Sequence, residues 1–158
     1  MSSENIKEMT ADEVLKKFDQ ESNKREMTGL WGNIISAICI AFAAFQIYTA
    51  VFGVLDAHLQ RAIHLAFGFA LIFFAVPART AWSKDSMSWF DVLLAIMGVA
   101  SAMYIVVFYQ DLVLRAGYNT EIDFYIGLIG TILVFEAARR VVGWPMIIVA
   151  ALFMVYAF

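Results

Sequence analysis

An all-α integral membrane protein is the fold class this sequence predicts, and three observations carry that prediction. Hydrophobic side chains make up 62% of the 158 residues, against about 45 to 50% in soluble domains. Mean hydropathy is +0.75. Charge is segregated: residues 1–27 hold 5 of the 11 Lys/Arg and 7 of the 14 Asp/Glu. The chain therefore divides into a polar head (1–27), a four-helix transmembrane domain (28–144), and an apolar C-terminal helix or start of a fifth span (145–158).

In the head, Thr10 and Glu13 have the spacing of a capping box, in which an N-cap hydroxyl and the acid three residues on satisfy amides that a helix start leaves orphaned. A short amphipathic helix is expected there. Val14, Leu15 and Phe18 lie on one face, suited to a membrane surface or a partner; a solvated leader is the alternative. The head is acidic overall, and the apolar run after it exceeds a signal peptide's core, so the first span is expected to stay in the mature protein.

The run from Trp31 to Leu55 contains no charged residue, and about 20 apolar residues suffice to cross a bilayer. Ala62 to Ala78, with Pro77 near its end, is the second span, at the lower length limit. Val92 to Tyr109 is the third, preceded by Trp89 and Phe90 as interfacial aromatics. Asp91 is expected to cap this helix, and Asp123 the next, at their favourable N-terminal ends. The fourth run extends from Phe124 to Phe135, then meets Glu136, Arg139 and Arg140 before Gly143, Trp144 and Pro145 break it. Pro145 to Phe158 is apolar, but at about 1.5 Å per residue it falls short of a full crossing.

Basic residues near span ends resist translocation. With the N-terminus inside, Lys24, Arg25, Arg79, Lys84, Arg139 and Arg140 are cytoplasmic, against Arg61 and Arg115 outside. A cytoplasmic N-terminus is therefore expected.

Chemistry within a bilayer requires ionisable residues at depth, where they are costly. Glu136 is the deepest acid, with Arg139 and Arg140 at i+3 and i+4 to neutralise it. His58 and His64 both belong to the outer end of the second span and cannot ligate a haem from two facing helices. No nucleophile and base can be paired, so neither an enzyme nor a cofactor is expected. Cys39, in an apolar run, reads as a buried inert thiol. The net charge of −3 and the lack of a basic stripe exclude nucleic acid as a partner.

Asn33, Ser36, Gln46, Thr49, Ser101, Tyr104 and Thr131 are expected to hydrogen-bond between packed helices. Ala37/Ala41, Ala66/Ala70 and Gly98/Ala102 are small pairs that permit close helix approach. Both prolines lie at span ends, unlike the interrupted helices of substrate-holding transporters.

Glu21 to Arg25, Arg61 to Leu65 with His64, Pro77, Asp91 and, above all, Glu136-Ala137-Ala138-Arg139-Arg140-Val141-Val142-Gly143-Trp144 resemble the small membrane component of tripartite ATP-independent periplasmic (TRAP) transporters. The likeness is to the N-terminal small-subunit region of TAXI-type permeases and covers about residues 21–158. It implies a multi-pass protein of the bacterial inner membrane. Its partners would be a large elevator-type membrane subunit, a periplasmic solute-binding protein and membrane lipids. An ion gradient would drive uptake of organic acids such as dicarboxylates, with substrate and ion sites on the large subunit. Glu136, Arg139, Arg140, Trp144, Arg61 and His64 are the candidate subunit-interface or headgroup anchors.

Overall fold

The computed structural model describes Arg25 and residues 29–53, 55–78 and 87–157. The expected helix around Thr10 and Glu13 lies outside these residues, as do Lys24, Arg79 and Lys84. Among the described residues all regular structure is helical: α1 (Leu30–Phe52), α2 (Ala57–Ala75), α3 (Trp89–Val107), α4 (Tyr109–Leu114), α5 (Glu121–Val141) and α6 (Trp144–Ala157). Three of them, α1, α2 and α3, are long and apolar enough to cross a membrane. α5 is 21 residues long but carries Glu121, Asp123, Glu136, Arg139 and Arg140.

Helix ends fall where backbone chemistry requires them. Gly29, Gly53, Gly117 and Gly143 adopt positive φ at the junctions, a conformation that costs a residue with a Cβ about 1 kcal/mol or more. Gly143 ends α5, and Pro145 occupies the first turn of α6, where its missing amide hydrogen breaks no helical bond. The expected loop between the third and fourth runs contains the six-residue α4.

Consecutive long helices run antiparallel, and α2 and α3 make the principal packing pair; α1 rests on α2, and α5 on both α2 and α3. The seam follows a spacing of three and four: Ala62, Ala66, Phe69 and Phe73 on α2, Ala95, Gly98 and Ala102 on α3, Leu133 and Ala137 on α5. Small residues on α3 let the α2 phenylalanines approach its backbone. A Cβ on Gly98 would stand 2.7 Å from Phe69, which supports the Gly98/Ala102 expectation. Ala66 also lies in the core, whereas Ala37 and Ala41 face outward from α1.

α1 and α6 expose most of their apolar surface: Thr49 is the buried residue of α1, and α6 has none. Cys39 is exposed on α1, contrary to the expected buried thiol, because among the described helices α1 packs chiefly against α2. Most of the polar spanning residues also differ from expectation. Thr49, Ser101 and Thr131 donate to carbonyls of their own helices, the local bonding open to a hydroxyl in a helix. Asn33 and Ser36 are exposed. Gln46 and Tyr104 do reach across, to His64 and Asp123.

Candidate functional site

At the end of the bundle where α2 and α5 finish and α3 begins, charged side chains from distant parts of the chain converge on Asp91. This residue occupies the first turn of α3 on the same stripe as Ala95, Gly98 and Ala102, so the geometry that buries those residues buries its carboxylate too. It does not cap the helix as expected: Ser88 is the N-cap and makes no side-chain cap bond, while the Asp91 carboxylate points into the bundle. There Arg25 Nη2 donates to Oδ2, and Arg140 Nη1 donates to Oδ1 at 2.8 Å. All three side chains are completely buried.

Both arginines also close off the end of α2. The Arg25 amide donates to the Ala75 carbonyl at 2.8 Å, and Arg140 Nη1 to the Val76 carbonyl at 3.0 Å. These groups belong to the last turn of α2, where carbonyls lack helical partners, so the guanidinium and amide complete its hydrogen bonding. The Arg140 guanidinium also lies 4.8 Å from the Phe73 ring centre, a cation–π placement worth about 2 kcal/mol when desolvated.

Glu136 extends the cluster. It accepts from Arg139 Nε and Nη2, both at 2.7 Å, and from Arg140 Nε at 2.9 Å. The expected i+3 and i+4 pairs are therefore formed. Arg140 bridges the two carboxylates, and Arg139 forms the rim: its side chain is 26% exposed, it donates to the Ala78 carbonyl, and it approaches the exposed Trp144 ring at 5.9 Å.

Of the candidate anchors, Glu136, Arg139, Arg140 and Trp144 thus come together. Arg61 and His64 do not join them; they are exposed on α2 toward the opposite end of the bundle. His64 Nδ1 is 2.6 Å from Gln46 Nε2, and Phe42 meets its ring edge-on.

Sequence reasoning missed Arg25 and Asp91 as cluster members. The available signal was register: Asp91 sits four residues before Ala95 on the small-residue stripe, and Arg140 three after Ala137 on the buried face of α5. An ionisable residue on a core stripe needs a partner of opposite charge.

The opposite end holds a second, more open group. Thr120 is the N-cap of α5 and Asp123 completes a capping box with it, so Asp123 takes part in capping as the reciprocal partner. Its carboxylate also accepts from Tyr104 Oη at 2.6 Å and pairs with Arg115 at 3.0 Å. Ahead of the apolar run, the Tyr104 hydroxyl, then the Thr120 amide and hydroxyl, with Arg115 nearby, hold Asp123 down to about 2.

No protein-family model matches this chain, and neither any curated protein nor any solved structure is significantly similar to it.

Proposed function

We propose that this chain is the small membrane subunit of a TAXI-type TRAP transporter, a stationary brace for the large permease subunit that performs ion-gradient-driven uptake of organic acids. It lies in the bacterial inner membrane with its N-terminus in the cytoplasm. α5 is the fourth crossing, with its charged turn at the cytoplasmic boundary. The chain's partners are the large subunit, a periplasmic solute-binding protein and membrane lipids, with Arg61 and His64 at the headgroups.

The observation that carries this reading is the contrast between a closed interior and an uncovered exterior. The α2, α3 and α5 seam is filled by Phe69, Phe73 and small residues and tied at one end by Asp91. α1 and α6 meanwhile present apolar faces that the other described residues do not cover. Such a body suits gripping another polypeptide better than carrying a solute. The Glu136 to Trp144 run, which carries most of the family resemblance, supplies Glu136, Arg139 and Arg140 to the ion cluster and begins α6.

Affinity purification of the full chain from native membranes in mild detergent tests the reading. Recovery of a polytopic permease is expected. Recovery of the chain alone, or of a homo-oligomer, favours a self-assembling membrane scaffold or regulator and overturns the brace. Reconstituted alone in sealed vesicles, the chain is expected to accumulate no solute.

A further inference from the structure

Among the described residues the ion cluster holds one more cation than anion. Arg25, Arg139 and Arg140 face Asp91 and Glu136, three cations against two anions among the described residues. Arg25 and Arg140 are sealed inside, so among the described residues the surplus reaches the surface through Arg139. Arg139 Nε and Nη2 are engaged by Glu136 and the Ala78 carbonyl, whereas Nη1 has no hydrogen-bond partner among the described residues. A surplus cation at the edge of a low-dielectric interior is costly and attracts a counter-anion.

Directly beneath this rim lies an open-sided cavity of about 610 Å³, walled by Phe90 and Leu94 of α3 and Ile132 of α5, with Glu136 and Arg139 at its charged end. From Arg139 to Ile132 the groove descends about 10 Å along α5, roughly two helical turns. A cation at the headgroup level above an apolar trough matches an amphiphile with a negative head and a hydrocarbon tail. Trp144 stands beside Arg139 at the same level, a position typical of the membrane interface.

We infer that the α3–α5 groove holds one anionic phospholipid, its phosphate on Arg139 and an acyl chain along Phe90, Leu94 and Ile132. Arg139 supplies a charge-assisted bond to the phosphate, which also neutralises the surplus of the cluster. The inference rests on the bilayer placement of the helices and not on the transporter role, so failed permease recovery leaves it standing.

Native mass spectrometry of the full chain, delipidated in mild detergent and offered equal phosphatidylglycerol and phosphatidylcholine, tests it. Preferential retention of a single phosphatidylglycerol is expected. Arg139→Gln should reduce that retention about tenfold. Leu94→Trp, which fills the trough and leaves the rim charges in place, should reduce it comparably. Arg115→Gln, a cation lost from the opposite end where it pairs with Asp123, should leave it unchanged. Helical circular dichroism and the melting midpoint identify any variant that fails to fold, and Leu94→Trp and Arg139→Gln test the site independently. Equal retention of the two lipids, undiminished retention in either folded groove variant, or a loss in Arg115→Gln equal to that in Arg139→Gln overturns the inference. So does a dimer formed through this groove that phosphatidylglycerol does not dissociate.

Discussion

The two ends of the bundle hold their charges in different ways. At the Asp91 end, a carboxylate and two guanidiniums are sealed from solvent, and the partners lie 66 and 49 positions apart in sequence. At the Asp123 end, the bonding partners Tyr104, Arg115 and Thr120 all lie within 19 positions, and Arg115 remains 29% exposed. The first arrangement fixes how helices far apart in the chain sit against each other; the second finishes a helix start and orders the turn before it. Burial, more than the number of ion pairs, decides which end dominates stability, because a sealed charge cannot recover hydration when its partner is lost.

The sharpest way to break this comparison is Asp91→Ala. It leaves Arg25 and Arg140 facing each other in the interior and should cost about 3 to 5 kcal/mol in unfolding measured in detergent. A loss below about 1 kcal/mol, the size of an exposed pair, would show that water reaches the cluster. Midway along the seam, Gly98→Ala should cost about 1 to 3 kcal/mol through overpacking against Phe69. Phe69→Leu in the same chain should recover part of that; no recovery would place the strain elsewhere. Arg115→Gln should cost less than either, and the cost should shrink as salt is raised, whereas the Asp91 penalty should hardly respond. Equal salt sensitivity at both ends would remove the distinction.

The smallest effect concerns pH. Asp123 is held down to about 2, below an unfolded value of about 4. A depressed folded value stabilises the fold fully above the unfolded value, and that contribution fades as pH falls from about 4 toward 2. Thermal midpoints should therefore drop across this window in the wild type, and drop less in Asp123→Asn. Identical profiles would assign the acid sensitivity to other carboxylates.

Much of the helical framework was legible because uninterrupted apolar runs between Gly, Pro and charged residues leave few alternatives in sequence. Gly53, Pro77 and Gly143 mark real ends, and the Glu136 pairs with Arg139 and Arg140 follow from helical spacing alone. What local pattern could not convey was partnership across the bundle. Asp91 reads as an ordinary helix-start acid until Arg25 and Arg140 are brought to it in space. Hydroxyls such as Ser101 and Thr131 satisfied themselves within their own helices, a choice that composition does not encode. Cys39 was misjudged because in a membrane chain an apolar neighbourhood in sequence does not imply burial by protein.

The Asp91 clamp has a consequence for the order in which the molecule is made. Arg25 is synthesised 66 positions before its carboxylate, and Arg140 a further 49 after that. During translation the first arginine must stay hydrated while α1, α2 and α3 are made, and the latch can shut only when α5 arrives. Chains stalled on the ribosome ahead of Arg140 are expected to leave Arg25 open to trypsin, and full-length chains to shield it; equal cleavage would mean that closure does not wait for the last arginine.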